Sequence, residues 1–326
     1  MVHSPNRVTI DTSPTHDLGK VISWGRANAV PVEVAIVIGS HPALHIASQA
    51  KVPISVDSLG LMGSLLGEPV PVTRCATVDL DVPAHAEIVI EGRILPTERM
   101  PEGPFGEFSY YYGASAHSAV CEISAITHRH DPMYLDIHPT HSDHRNLWLF
   151  PGREVRLLTM LRDAVPGVRA VYMPPEGAGM VACIALKKTH DGDARRALMI
   201  ALSSDIYLKH AMVFDPDVDI YDLGHVLWAL AVRFQADTDL MLIPNAAGFS
   251  EDPSSYSLND RQTRGGLTTK SGFDATAPKG IPYPERADLL PEAYANLNLE
   301  DYVGAAEGVG PHVSPAKGSG MEGSER

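Results

Sequence analysis

The chain has 326 residues, and 26 Lys and Arg against 40 Asp and Glu give a formal net charge of −14. Hydrophobic residues make up 44% and charged residues 20% of the chain, which is typical of a globular protein and not of a disordered one. At roughly 150 residues per domain, the length predicts one large domain or two ordinary ones. The shortage of positive charge, with no basic stripe, argues against a nucleic-acid binder, because affinity for phosphate backbones comes from clustered Lys and Arg.

The cysteines and the N-terminal segment indicate an intracellular protein. Cys75, Cys121 and Cys183 form no CxxC pair, which favours reduced, buried thiols over a disulfide framework or a zinc ribbon. Residues 1–17 lack the apolar run of a signal peptide, and no segment approaches the ~20 apolar residues that span a bilayer. The expected location is therefore the cytoplasm, without membrane insertion.

The first half of the chain is predicted to be rich in β-strands. Segments 32–37, 86–94 and 120–127 are short, rich in Val and Ile, and bounded by Pro, Gly or His-Asp-Pro. Helices are predicted at 19–29 and 42–50. Strands of this kind, separated by long loops, predict a barrel or a strongly curved sheet.

The second half alternates between the two types of element. Residues 153–165 carry Val155, Leu158, Leu161 and Val165 at helical spacing and end at Pro166-Gly167. Strands at 181–187, 211–214 and 240–243 then alternate with helices at 193–203 and 222–234, a β-α-β-α-β order that favours parallel strands. Asp222 is predicted to cap the second helix, whose stripe faces the core; its members are Leu223, Val226, Leu227, Leu230 and Phe234. From residue 304 the Gly, Pro, Ser and Glu content predicts a disordered tail.

Two carboxylates separated by four residues are the first candidate site. Glu102 and Glu107 flank the sequence Gly-Pro-Phe-Gly, which predicts a loop with a constrained backbone. Such a loop can hold two carboxylates in a cavity, where repulsion and desolvation raise one pKa and make that acid a proton donor near neutral pH. A solvated acidic turn is the alternative. Four aromatic residues within 108–112 weaken it, because they are suited to lining an apolar pocket.

Histidines are concentrated in the middle of the chain. Six of the 15 lie between His117 and His144, and His138, His141 and His144 follow one another at three-residue spacing. Imidazoles on successive helical turns can bind zinc, which makes a zinc hydrolase one hypothesis. Pro139 interrupts the segment, however, and histidines of a loop near a pocket mouth are the other interpretation. The common nucleotide and serine-hydrolase motifs are absent.

Taken in order, several segments resemble the UbiD family of prenylated-FMN-dependent reversible decarboxylases. The most specific is Pro-Glu-Gly-Pro-Phe-Gly-Glu at 101–107, followed by the aromatic run. Its companions are 82–92, 129–132, 217–220 with 226–229, and Lys-Ser-Gly-Phe-Asp-Ala at 270–275. The resemblance covers about residues 16–290, and the chain looks like an N-terminally short member.

The resemblance implies a mixed α/β fold: a split β-barrel flavin-binding domain at 1–150, an α/β C-terminal domain at 151–303, and the tail at 304–326. It implies a carbon-carbon lyase that removes or adds CO2 on an aromatic, heteroaromatic or α,β-unsaturated carboxylic acid. Prenylated FMN, supplied by a flavin prenyltransferase, is the expected cofactor. A homo-oligomer is expected.

The same resemblance implies roles for particular residues. Glu107 takes the position of the proton donor, with Glu102 as its partner carboxylate in a network that also contains an Arg. Lys270 matches a lysine that contacts the cofactor. His16 matches a histidine that contacts the cofactor through a divalent metal, Mn or Mg, with potassium nearby. Ser58 stands where the family has a metal-binding Glu, which leaves the adjacent Asp57 as the candidate ligand.

The resemblance also raises a second hypothesis. The Arg of the network and an Asn that binds the metal belong to a region expected to be absent here, and Asn6 and Arg7 lack the expected spacing. The alternative is therefore a non-catalytic or half-site subunit, which needs a partner chain to supply that region.

Overall fold

An antiparallel five-stranded sheet organises the first half of the protein in this computed structural model, which describes residues 1–12, 16–113, 116–249, 251–255, 266–284, 287 and 297. The strands, in spatial order, are β1 (Val2–Ser4), β2 (Arg7–Ile10), β7 (Ala116–His128), β6 (Ile88–Glu102) and β3 (Val32–Ile38). A separate two-stranded ribbon joins β4 (Val72–Arg74) and β5 (Asp81–Pro83). In the described residues the sheets are not closed into a barrel, although the architecture is consistent with a split one.

Three helices accompany this sheet: α1 (Asp17–Asn28), α2 (Pro42–Gln49) and α3 (Ser58–Leu66). The predicted helices at 19–29 and 42–50 are confirmed as α1 and α2, and the predicted strands at 32–37, 86–94 and 120–127 correspond to β3, β6 and β7, with β6 beginning two residues later than predicted. The helix α3 was not predicted, because its nine residues include two glycines and lack a clear apolar stripe. Asp57 is the N-cap of α3: its carboxylate accepts hydrogen bonds from the N–H groups of Leu59 and Gly60, both at 3.1 Å.

A second five-stranded sheet forms the core of the other half. Its spatial order is β11 (Leu240–Ala247), β12 (Leu267–Ala275), β10 (His210–Phe214), β9 (Val181–Leu186) and β8 (Val168–Tyr172). The helices are α4 (Ser142–Leu149), α5 (Val155–Ala164), α6 (Gly192–Ser204) and α7 (Leu223–Arg233), with a π-helical segment at Phe150–Glu154 between α4 and α5. Asp222 caps α7, as predicted, by accepting the Gly224 N–H at 2.8 Å.

The prediction that strands 181–187, 211–214 and 240–243 run parallel was wrong for the third. β9 and β10 are parallel, but the next parallel neighbour of β10 is β12, and β11 lies antiparallel at the sheet edge. Two features of β11 explain its place. Pro244 has no N–H to donate, and the register with β12 is irregular between Ile243 and Ala246, so β11 is suited to an edge and not to the centre.

The core of the second half is built by α5 and α6 against this sheet. Its fully buried members include Leu161, Ile184, Leu198 and Leu202. The predicted core stripe of α7 was partly wrong: Leu223 is 39% exposed and Leu227 is 69% exposed, whereas Val226 is buried.

The three cysteines are free thiols; Cys121 and Cys183 are buried, as predicted, whereas Cys75 is only half-buried. No helix within the described part of the chain is both long enough and apolar enough to span a membrane.

Candidate functional site

A short hairpin carries Glu107. After β6 ends at Glu102 and the cis Gly103–Pro104 bond, residues 105–113 fold back on themselves. The Glu107 N–H donates to the Tyr111 carbonyl and the Gly113 N–H donates to the Phe105 carbonyl, both at 2.9 Å. A Cβ on Gly113 would lie 2.8 Å from Oε1 of Glu107. Glycine at 113 therefore lets the Glu107 carboxylate lie against the hairpin backbone without shifting.

The environment of Glu107 favours its protonated form. Burial, followed by the negative charges of Glu251 and Asp11, raises the pKa of Glu107 from 4.5 to about 7. A carboxyl group of this kind is half protonated near neutral pH and can both give and take a proton there.

The negative charges that raise the pKa of Glu107 come from residues that the sequence did not single out. Glu102 is buried at the end of β6, where its Oε1 accepts a hydrogen bond from the Met1 amino group at 2.8 Å. Its Oε2 has no hydrogen-bond partner among the described residues. Glu251 and Asp11 are instead the charged neighbours of Glu107. They follow β11 and β2, far apart in sequence, and no local pattern marks either one.

No guanidinium group accompanies these two glutamates in the described residues. Neither Glu102 nor Glu107 forms an ion pair with an Arg or a Lys there, and the charges that shift the pKa of Glu107 are both negative. The Arg implied by the resemblance therefore has no equivalent beside them in the described residues.

A cavity of about 910 Å³ opens between the two halves of the fold. Its walls come from the start of α1, the segment at 48–53, the region from α4 to α5, and the segment at 204–207. Phe108, Trp148 and Tyr207 form an aromatic wall, with ring centroids 4.6 Å apart for Phe108 and Trp148 and 5.2 Å apart for Trp148 and Tyr207. A volume of this size, with an aromatic wall, is suited to a cofactor.

Glu107 is electrostatically connected to this cavity. Phe108, the next residue, contributes to its wall. Burial and then the charge of Glu251 raise the pKa of Tyr207, and Glu107 adds to the effect. The proton-active carboxyl group and the aromatic wall are thus parts of one site.

A buried charged network lies beneath the aromatic wall. The guanidinium of Arg153 pairs with the Asp205 carboxylate and lies over the Trp148 ring, 4.4 Å from its centroid. Its two terminal nitrogens are buried without a hydrogen-bond partner among the described residues. Lys270, on β12, donates from Nζ to the carbonyls of Leu202 at 2.8 Å and Asp205 at 2.6 Å. The network holds Asp205, and with it the segment that carries Tyr207, in place.

The structure places His16 in the cavity wall and Lys270 just behind it. His16 stands at the N-cap position of α1 without making a side-chain capping bond, and desolvation and the nearby charge of Lys51 lower its pKa. Burial lowers the pKa of Lys270, an effect that Asp205 opposes.

The donor set for a divalent metal does not assemble around His16. Asp57 is exposed, does not line the cavity, and uses both carboxylate oxygens to cap α3. Among the described residues there is no group of three or more His, Cys, Asp or Glu side chains that could hold a metal ion. The described residues therefore do not fit the metal that the resemblance implies.

The three closely spaced histidines have separate structural roles. His141 caps α4 through its Nδ1, His138 contacts the Thr140 hydroxyl at 2.8 Å, and His144 lines the cavity with its Nδ1 3.0 Å from the Pro139 carbonyl. The zinc hypothesis gains no support from this arrangement, and His144 does lie at the cavity.

Two family models match the chain in succession. The Rift-related domain of 3-octaprenyl-4-hydroxybenzoate carboxy-lyase, UbiD, matches residues 1–142, and the C-terminal domain of the same enzyme family matches residues 149–275. The chain belongs to the UbiD family. Together the matches cover most of its length, including the hairpin, most of the cavity lining and both sheets.

Two curated relatives support the assignment to this family. The anhydromevalonate phosphate decarboxylase of Methanothermobacter thermautotrophicus is 34% identical over 279 residues, which cover 85% of this chain and 64% of that protein. The enzyme of the same name from Aeropyrum pernix is 35% identical over 273 residues, covering 83% and 60%. The chain thus spans about six-tenths of the length of these curated relatives.

Solved structures show the same fold. The UbiD-class enzyme HmfF from Pelotomaculum thermopropionicum, in complex with FMN, matches with a TM-score of 0.85 and 38% identity over 93% of this chain and 66% of that one. The vanillic acid decarboxylase of Sedimentibacter hydroxybenzoicus, in its open form with a truncated ShVdcD component, matches with a TM-score of 0.74 and 30% identity over 89% and 62%.

Proposed function

We propose that this chain carries the catalytic carboxyl group of a UbiD-type decarboxylase, a carbon-carbon lyase acting on an aromatic, heteroaromatic or α,β-unsaturated carboxylic acid. The observation that carries the proposal is Glu107, a half-buried carboxyl group with a pKa of about 7 beside an aromatic-walled cavity. The names of the relatives support the reaction class.

The proton balance of decarboxylation assigns a task to Glu107. When the bond to CO2 breaks, its electron pair remains on the substrate carbon, which must then accept a proton. Prenylated FMN, when bound, serves as the electron sink. Glu107 Oε donates the proton to that carbon and is reprotonated from solvent; in carboxylation the same carboxylate accepts the proton.

The flavin is held by the aromatic wall and the groups behind it. Phe108, Trp148 and Tyr207 provide flat apolar surface for a planar ring system and exclude water from it. His16 faces the cavity, and Lys270 fixes the position of Asp205 from behind. HmfF is described in complex with FMN, and an evolved dimeric form of it with prFMN. The roles of His16 and Lys270 as cofactor contacts belong to this proposal.

The test is production of the chain together with a flavin prenyltransferase, followed by CO2 measurement on a panel of unsaturated acids. The wild-type protein is expected to retain a flavin, visible in its absorption spectrum, and to release CO2. Glu107→Gln is expected to keep the flavin and to lose at least about a hundredfold in rate, the usual contribution of a positioned acid. Glu98→Gln replaces an exposed glutamate on β6, the strand before the hairpin; it is the matched control and should keep full activity. Full activity of Glu107→Gln would refute its role.

A second candidate function is a half-site subunit that needs a partner chain. The observation that favours it is that Glu102 and Glu107 have no Arg or Lys ion-pair partner in the described residues, and that one oxygen of Glu102 is buried without a hydrogen bond. A guanidinium from a partner chain would satisfy that oxygen and complete the network.

Native mass measurement and activity assays on the same sample separate the two candidates. If the chain is the complete catalytic unit, a homo-oligomer or monomer of this chain alone releases CO2. If it is a half-site subunit, the isolated chain binds flavin without turnover, and activity appears only with a second, different chain.

A further inference from the structure

The chain that follows β11 is held by two contacts, one on each side of Glu251. On one side Phe249 is buried: its ring stacks on Phe108 and packs against Tyr207, with centroids 6.1 Å and 4.8 Å away. On the other side the Asp252 side chain is buried as well. The Asp252 N–H donates to the Phe249 carbonyl at 3.2 Å, which leaves Glu251 between two fixed neighbours.

A buried ion pair fixes Asp252. Lys209 Nζ donates to Asp252 Oδ2 at 2.9 Å, with only 16% of the lysine side chain and 4% of the aspartate side chain exposed. Ser255 Oγ donates to the same oxygen at 2.6 Å, and the Ser254 N–H donates to Oδ1 at 3.0 Å. Burial opposes ionisation of Asp252, but these hydrogen bonds hold its pKa below the ordinary value. Asp252 is therefore an anion that is bound through both oxygens.

The lysine of this pair is itself anchored in the second sheet. Lys209 directly precedes β10; its N–H donates to the Met180 carbonyl and its carbonyl accepts the Ser271 N–H, both at 2.9 Å. Tyr207, two residues earlier, carries the ring against which Phe249 packs. One stretch of backbone, 207–209, therefore provides contacts on both sides of Glu251.

This anchoring brings Glu251 to the hairpin that carries Glu107. Phe108, on which Phe249 stacks, is the residue after Glu107, and Glu251 is two residues after Phe249. The stacked rings thus join the two short segments that carry the two carboxylates. After burial, the charge of Glu251 makes the largest contribution to the raised pKa of Glu107.

Other groups face Glu107 from the elements packed around the hairpin. Asp11, after β2, adds a negative charge, and Tyr207, before β10, responds to the charge of Glu107. Arg145 of α4 lies over a tyrosine ring of the hairpin, 4.3 Å from its centroid. Of the two carboxylates that raise the pKa of Glu107, Glu251 is the one that is held by an ion pair nearby.

We propose that Lys209 and Asp252 are positioning residues for proton transfer: their buried ion pair holds the Glu251 carboxylate against the hairpin that carries Glu107. The proposal rests on the proposed function, since it takes Glu107 to be the proton donor. A like charge nearby disfavours ionisation, so a fixed Glu251 anion keeps a proton on Glu107 near neutral pH. When the ion pair is lost, Glu251 moves away and Glu107 releases its proton at lower pH.

The experiment measures the titration of Glu107 by ¹³C NMR on the flavin-free full-length chain, produced with glutamate labelled at the side-chain carboxyl carbon. The resonance is assigned by its disappearance in Glu107→Gln, and the wild-type group is expected to titrate with a pKa of about 7. Glu251→Gln should lower this midpoint by roughly half a pH unit or more, because it removes the neighbouring charge. Lys209→Met should also lower it, because it releases Glu251.

The sign of the Lys209→Met shift separates positioning from a direct effect of charge. Removal of a cation acts directly on a nearby carboxyl group by raising its pKa, whereas release of Glu251 lowers the midpoint of Glu107. In the Glu251→Gln background, Lys209→Met should therefore no longer lower the midpoint. Lys209→Arg, which keeps the ion pair, should retain the wild-type value.

Lys188→Met is the matched control. Lys188 pairs with Asp191, also at 2.9 Å, and 4% of the lysine side chain is exposed. It follows the carboxyl end of β9, whereas Lys209 precedes the amino end of the parallel strand β10, so the two pairs lie at opposite ends of the sheet. Loss of Lys188 should leave the Glu107 midpoint unchanged.

A second variant covers the case in which Lys209→Met does not fold. Asp252→Asn retains an oxygen for the serine hydrogen bonds and should lower the Glu107 midpoint only when Glu251 is present. An unchanged or raised midpoint in folded Lys209→Met would overturn the proposal, and so would an unchanged midpoint in Glu251→Gln. A midpoint that responds as expected, in a chain that releases no CO2 with its flavin bound, would contradict the proposed function and leave the positioning of Glu251 standing.

Discussion

Glu107 shows how a local motif and distant charges together produce a proton donor. The hairpin fixes the carboxyl group against Gly113, and partial burial with Glu251 and Asp11 nearby raises its pKa to about 7. Because the pKa is 4.5 in an unperturbed carboxyl group, the unfolded chain releases this proton at lower pH than the folded protein does.

This pKa difference predicts a pH-dependent stability change in Glu107→Gln. The folded protein favours the protonated form, so the contribution of Glu107 to stability is present below pH 4.5 and is lost as the pH rises through 7. At pH 8 we expect the Glu107→Gln protein to have a free energy of unfolding about 1–2 kcal/mol above the wild type, after allowance for partial solvent exposure. Urea denaturation at pH 5 and pH 8 measures the difference, which should narrow at the lower pH.

The control for this measurement is again Glu98→Gln, which should change stability little and equally at both pH values. A Glu107→Gln protein that is less stable than the wild type at pH 8, or equally affected at both pH values, would contradict the electrostatic account of this site.

The residue-level predictions from sequence were strongest where one segment contained the whole signal. Glu107 was recognised because its Gly and Pro spacing and the following aromatics lie side by side in the chain. Glu251, Asp11, Arg153 and Asp205 were not predicted, since each depends on a contact between segments that are far apart in sequence. The roles assigned to Glu107, Glu102, His16, Lys270 and Asp57 stay predictions.

At the scale of elements, Gly152 allows two segments of the cavity wall, the π-helical segment and the segment at 48–53, to pack closely against each other. Its position within the π-helical segment allows the backbone of Gln49 to approach so closely that no side chain fits between them. Gly152→Ala is expected to lower the free energy of unfolding by about 1–3 kcal/mol, the usual cost of overpacking.

Gly60→Ala is the matched control for that substitution. The nearest atom to a Cβ at Gly60 is a carboxylate oxygen of Asp57 at 3.6 Å, an ordinary contact, and the residue lies in α3. Thermal unfolding should show this variant to be as stable as the wild type or more stable, because Ala is the better helix former. Equal stability of the Gly152 and Gly60 variants would contradict the close approach.

Elements with strong periodicity were predicted well, and those defined by tertiary pairing were not. The segments that became α1, α6, α7, β3 and β9 have clear caps or apolar patterns. The parallel direction assigned to β11 failed, because the sequence order of the strands does not reveal that β12 enters the sheet between β10 and β11. The helix α3 was missed because its cap is informative only when its hydrogen bonds are seen.

At the scale of the molecule, the aromatic wall brings the two halves together. Phe108 comes from the first half, whereas Trp148 and Tyr207 come from the second. Phe249, also in the second half, packs against Tyr207 with the ring centroids 4.8 Å apart. The mixed α/β class and the family were both predicted from the sequence. The domain boundary at residue 150 stays a prediction, and so does the tail at 304–326, which lies outside the described residues.

The central claim is that Glu107 transfers the proton, and hydrogen exchange on the decarboxylated product tests it most directly. In D2O, the flavin-loaded wild-type chain should exchange the hydrogen at the carbon that lost CO2, and NMR of the product follows this without net turnover. Glu107→Gln should reduce the exchange rate at least about a hundredfold with its flavin retained. Exchange at the wild-type rate in the variant, with its flavin bound, would contradict the account.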